Sequence, residues 1–440
     1  MDGLLYRLLF FVALPFAFIV LSFITKHKKT TNAHLPPSPP ALPIIGHLHL
    51  LSFLWHQSFQ KLALQYGPFI WLKTGGSSSY IVSNGAIAKQ VFKHHDISFA
   101  ARPEFGSSEH QIYKDTLFST LDYSKYWIFL KKICMVEILS PQQINRFADV
   151  RQEEMMKLLD CFRDCAEKGE SCDVGIRFMA MTNNMVCRLM MSTRCSTNEN
   201  ESSEIREIAK GITLLSGQVS AGEIFGPLKK YDLLGAGKKI KALLLRFDRF
   251  MDGIIVQHEN EMRDGKKEKK KDMMDILLGI ADDPNAEMKL TRNGIKGLFL
   301  CREDCIINGY KIPKNSRLVV NLYAVNRNPE AWENAAEFVP ERYLANTAEE
   351  NLLIQPDELE GLQGQTFNYV PFGGGRRGCP GAALAAAVLH RTLGATVQCF
   401  DWKIKGAERV NMEEGVGFSA AMLHPLICYP VTRANPLKIA

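Results

Sequence analysis

The chain is short of several signals that would make a function easy to read. It has little charge bias: 53 Lys and Arg stand against 47 Asp and Glu, a net charge of +6 over 440 residues. That leaves no electrostatic footprint for nucleic acid, so no such partner is expected. It suits a protein resting near an anionic membrane surface. Eleven cysteines are present but scattered. Cys161/Cys165 and Cys301/Cys305 are the close pairs, and neither has a second pair or a His at zinc spacing, which argues against a zinc site. An odd number of scattered cysteines fits a reducing compartment without a disulfide framework. No His is identifiable as a partner for Cys379, so a cysteine hydrolase lacks its base. Apolar residues are not scarce. At 46% hydrophobic and 23% charged, the composition is that of a globular protein with ample core.

The N-terminus is the first positive signal. Leu8 to Ile24 is apolar apart from Ser22, and Lys26-His27-Lys28-Lys29 follows almost at once. With Leu4, Leu5 and Tyr6 the stretch reaches about twenty residues, enough to span a bilayer. The basic cluster behind it predicts that the remainder faces the cytosol. A cleaved signal peptide is the rival reading, but no small-x-small cleavage site follows Ile24. Residues 1–25 therefore read as a retained membrane anchor in contact with lipid. Residues 26–43 read as a basic and proline-rich hinge, since Leu35-Pro36-Pro37-Ser38-Pro39-Pro40 favours stiff, extended chain. Residues 44–440 read as one globular domain. Pro68 to Lys73 and Ser79 to Ser83 predict a hairpin, and the long segments after it are helical in pattern. The fold class expected is mainly α with a small β part.

The chemistry sits in Pro371-Phe372-Gly373-Gly374-Gly375-Arg376-Arg377-Gly378-Cys379-Pro380-Gly381. A glycine-rich loop enters Cys379, and a strong helix-forming run begins at Ala382. Proline is favoured at a first helical position, which places Cys379 at the helix N-terminus. The free N–H groups and dipole there favour a thiolate, and Arg376 and Arg377 add positive charge. A thiolate fixed in this way suits a metal ligand. A second cluster is Trp127 and Lys131, four apart and therefore on one helical face, both hydrogen-bond donors.

The spacing Phe372, Gly375, Arg377, Cys379 and Gly381 resembles the haem-thiolate signature of cytochromes P450, and Trp127 with Lys131 resembles an element of that family's helix C. Phe338-Val339-Pro340-Glu341-Arg342-Tyr343 resembles a further family element. Anchor and hinge resemble those of plant microsomal members, nearest to those oxidising flavonoids, isoflavonoids and triterpenoids. The resemblance implies a cytochrome P450 fold holding haem b, with Cys379 as iron ligand. It implies Phe372, Gly375, Arg377, Gly381, Trp127 and Lys131 as cofactor-binding residues, the last two with Arg377 near the propionates. It also implies NADPH-cytochrome P450 reductase as electron donor, a small apolar substrate that receives one oxygen atom from O2, and a location on the endoplasmic reticulum membrane.

One stretch breaks the pattern. Thr291 predicts a helix cap, and the segment up to Leu300 resembles the first turns of the family's central helix I. From Arg302 the chain resembles the strands that follow helix K. The oxygen-activation motif Ala/Gly-Gly-x-Asp/Glu-Thr and the Glu-x-x-Arg of helix K are both absent from the sequence. The expectation is an internally truncated fold with a deletion at 300–301 and no assignable catalytic residue. Two functions follow: a haem-thiolate monooxygenase, or a non-catalytic remnant of one.

Overall fold

The computed structural model describes residues 35–433 apart from 44, 75–76, 103–117, 119–120, 195–206, 209–210, 212–235, 265–271, 299–316, 344–366, 405, 407–408 and 416–420. The expected anchor and the join at 300–301 lie outside the described residues. Among the described residues, no helix is long and apolar enough to cross a membrane.

The chain opens with α1 (Trp55–Tyr66), the hairpin β1 (Phe69–Thr74) and β2 (Ser77–Val82), and α2 (Gly85–Lys89), which runs into a π-turn at Gln90–His94. There follow α3 (Lys125–Lys132), α4 (Pro141–Arg146), α5 (Ala148–Lys168), β3 (Cys172–Asp173) and α6 (Val174–Met191). Next come α7 (Ala236–Arg263), α8 (Met273–Asp282), α9 (Arg292–Leu298), β4 (Arg317–Val320) and α10 (Leu322–Val325). The last helix is α11 (Ala382–Cys399), followed by β5 (Phe400–Ile404), β6 (Glu414–Gly415), β7 (Ala421–Met422) and β8 (Ile427–Thr432).

The hairpin is buried on both faces because successive side chains alternate. Ile70, Leu72 and Ile81 pack with Phe59 and Leu62 of α1. Phe69, Tyr80 and Val82 pack the other way, with Ile87, Val91 and Phe92. β4 then adds parallel to β2, Tyr80 opposite Leu318. A second sheet runs β3-β8-β5, antiparallel throughout. The main apolar cluster joins α3, α5, α6, α7, α8 and α9 through residues such as Leu130, Phe162, Met185, Met251, Leu277 and Ile295.

Local chemistry starts these helices where it is expected. Ser124 Oγ accepts from the Trp127 N–H at 3.2 Å and caps α3. Thr291 Oγ1 accepts from the Gly294 N–H at 3.1 Å and caps α9. Asp272 and Asp275 form a reciprocal capping box at α8. The end of the hinge is not free-standing: Pro36 and Pro39 are buried, and the Pro37 carbonyl accepts from Trp71 N–H at 3.0 Å. Cys187 departs from the expectation of free thiols and is disulfide-bonded.

Candidate functional site

Three stretches far apart in sequence converge on the Gly-rich loop. The loop itself makes a 3-10 turn at Gly375–Arg377 and delivers Cys379 to the surface, exposed and outside any disulfide. Gly375 has φ +65°, and a Cβ there would meet the Phe92 carbonyl oxygen at 2.5 Å. The loop glycines thus let the backbone close on the π-turn after α2. The helix starts later than the sequence predicts. Gly381 is the N-cap of α11 and Pro380 lies in the turn before it. The reason is a backbone bond from Cys379 N–H to the Phe372 carbonyl at 3.0 Å, which holds the chain in the loop for two residues more.

The expected cofactor-binding residues are brought together. Arg377 is 4% exposed and lies over the Trp127 ring, its carbon 4.1 Å from the centroid. Its Nε donates to the Ala100 carbonyl and its Nη2 to the Leu121 carbonyl, each at 2.7 Å. Trp127 is buried on α3, stacked on Phe118, and its indole N–H donates to the Phe118 carbonyl at 3.1 Å. Lys131, one turn later, donates from Nζ to the carbonyls of Gly378 at 2.7 Å and Arg376 at 3.0 Å. The Phe372 carbonyl holds the Cys379 N–H, and a Cβ on Gly381 would stand 3.9 Å from the Cys379 sulfur.

Several contacts carried no sequence signal, although Arg376 itself was expected to add charge at the loop. Arg376 pairs with Asp96 at 3.0 Å and donates to the Tyr123 hydroxyl at 3.0 Å. Ala100, Leu121 and Phe118 act through backbone carbonyls, which every residue type possesses. A small cleft of about 10 Å³ lies between Val91, Phe92, Asp96 and Phe99 on one side and Gly374, Arg376 and Arg377 on the other. That is below the ~300–1,000 Å³ of usual ligand pockets.

Comparison with known proteins decides the family. The family model for cytochrome P450 matches residues 36–300 and 298–428. The chain belongs to the cytochrome P450 family. Cytochrome P450 93A3 of Glycine max is 33% identical over 98% of this chain and 99% of that protein. The 3,9-dihydroxypterocarpan 6A-monooxygenase of Glycine max is 33% identical over 95% of this chain and 97% of that protein. Cytochrome P450 705A5 of Arabidopsis thaliana is 32% identical over 94% of this chain. A zebra fish cytochrome P450 solved with abiraterone shares the fold, with a TM-score of 0.65 at 17% identity over 86% of this chain and all of that one. The alignment to cytochrome P450 93A3 spans 515 positions, 75 more than the 440 residues here. By family the chain is a haem oxidoreductase of the monooxygenase type.

The residues present fit a haem on its thiolate side. The thiol is exposed and outside any disulfide, the peptide N–H of Cys379 is tied down, and Arg376, Arg377 and Lys131 lie in or against the same loop. Positive charge at that place favours both a thiolate and carboxylate groups beside it.

Proposed function

We propose that Cys379 is the iron ligand of a haem-thiolate monooxygenase acting on a small, apolar plant metabolite. The substrate class is that of the pterocarpan in the name of the Glycine max relative. The single observation that carries this reading is the exposed Cys379 thiol on a loop pinned to α3 through Arg377 and Lys131. When bound, the haem supplies oxygen activation, and thiolate ligation pushes electron density toward O–O cleavage. The protein's own share is to hold the sulfur, to place Arg377 beside the cofactor's anionic edge, and to keep Trp127 beneath that cation as a rigid ring. Electrons come from NADPH through NADPH-cytochrome P450 reductase. Residues 1–25 anchor the chain in the endoplasmic reticulum membrane, and the haem domain faces the cytosol.

A second reading has its own support. The family model matches in two stretches that meet at 298–300, and the aligned span exceeds the chain. Two core helices also expose apolar stripes: Leu389, Leu393 and Val397 on α11, at 58%, 58% and 54%, and Ile176, Met179 and Val186 on α6. Open apolar faces of this kind are expected where a packing partner is absent. These observations favour an internal deletion at 300–301, which removes the oxygen-activating segment and leaves a non-catalytic remnant that keeps the thiolate loop.

One measurement separates the readings. The purified chain, reconstituted with haem, reduced and exposed to carbon monoxide, should give a thiolate-type Soret band that Cys379→Ala abolishes. A band that survives Cys379→Ala overturns the ligand assignment. A band in the parent chain without substrate turnover in the presence of reductase supports the remnant. Sequencing the transcript across Leu300 and Cys301 tests the deletion itself.

A further inference from the structure

The carbonyl of Gly378 and the N–H of Cys379 belong to one peptide plane. Lys131 Nζ holds the carbonyl at 2.7 Å, and the Phe372 carbonyl accepts the N–H at 3.0 Å. The peptide that carries Cys379 is therefore tied at both ends. Gly378 could not supply that restraint itself, since glycine has the most backbone freedom of any residue. The second bond of Lys131, to the Arg376 carbonyl at 3.0 Å, fixes the turn just before it. Between these two carbonyls Arg377 is locked onto Ala100, Leu121 and the Trp127 ring. An ammonium suits the task, because it is a compact charge with three rotatable donors that can serve two carbonyls at once. Its position 5.5 Å from the Trp127 centroid holds it over the same ring.

We propose that Lys131 is a positioning residue for Cys379, its ammonium clamping the Arg376 and Gly378 carbonyls so that the sulfur leaves the loop in one direction. The proposal rests on Cys379 as iron ligand only in its spectroscopic consequence. The geometric part stands on the loop alone.

Amide hydrogen exchange on the full-length, haem-loaded chain tests it. In Lys131→Met, exchange across residues 372–381 should rise about tenfold, as expected when charge-assisted bonds guarding a local opening are lost. Exchange in β1 and β2 should not change. Lys131→Arg, which keeps a donor in reach, should restore most of the protection. Unchanged loop exchange in Lys131→Met overturns the proposal. A uniform rise in loop and hairpin also overturns it, because Lys131 would then be a general stabiliser. On the haem-reconstituted chain, the thiolate-type share of the carbon monoxide spectrum per haem should fall in Lys131→Met. An unchanged thiolate-type share per haem overturns the clamp. Failure of the Cys379 assignment looks different: the thiolate-type band persists in Cys379→Ala, and the exchange result is untouched.

Discussion

In the helical body, several buried or half-buried cations meet carboxylates. Arg188 and Arg194 both reach the buried Glu154, at 2.7 and 2.8 Å. Lys296 on α9 reaches Asp248 and Asp252 on α7, each at 2.7 Å. His258 faces Asp272 at 2.9 Å. At the Cys379 loop Arg376 also meets a carboxylate, Asp96, but Arg377 and Lys131 donate to backbone carbonyls and lie over the Trp127 ring. Carbonyl dipoles and a ring face attract a cation without cancelling its charge. A carboxylate cancels it. The first arrangement stitches helices together. The second keeps positive charge at the place where a thiolate and an anionic cofactor edge are to be held.

The sharpest test of this contrast is to break one cluster of each kind. Glu154→Gln leaves Arg188 and Arg194 with a neutral partner in a buried place and should cost about 3–5 kcal/mol, read as a lower urea midpoint. It should leave the thiolate-type spectrum of any folded, haem-loaded protein unchanged. Arg377→Met removes two charge-assisted bonds to carbonyls and should cost about 2–3 kcal/mol. Unlike Glu154→Gln, it should also lower haem retention. If both variants shift stability and haem retention in the same proportion, the two clusters do not differ in kind.

Acid should sharpen the contrast further. Burial works against the ionised Glu154, but hydrogen bonds from Arg194 and Arg188 hold its carboxyl below the usual range. Burial likewise opposes ionised Asp272, and bonds from His258, Ser192 and the Asp275 backbone outweigh it. Carboxylates with depressed values add stability that is present above about pH 4 and lost as the pH falls through their folded values. The urea midpoint should therefore drop between about pH 5 and about pH 3, and Glu154→Gln and Asp272→Asn should each flatten that limb. The smallest effect belongs to Lys132, whose bond to Glu287 is exposed on both sides. Lys132→Ala should leave the midpoint where it is.

Much of the site was legible before any coordinates. The loop spacing around Cys379 and the one-turn separation of Trp127 and Lys131 are local facts. The structure puts all of these residues in one place. The start of α11 was misread by two residues, because proline's preference for a first turn was outweighed by the bond from Cys379 to Phe372. The acceptors were not legible at all. Ala100, Leu121, Phe118, Arg376 and Gly378 all act through carbonyls. A carbonyl has no residue-specific signature.

What the sequence determined by itself is whatever depends on neighbours a few residues away. The caps at Ser124, Thr291 and Asp272, the alternation that buries the hairpin on both faces, and the loop that names the family are of this kind. Only the tertiary structure decided where the donors of Arg377, Lys131 and Trp127 point. Those choices join residues as far apart as Ala100 and Arg377. They depend on how α3 and the loop pack together, and no local pattern of side chains encodes which carbonyl will lie within reach.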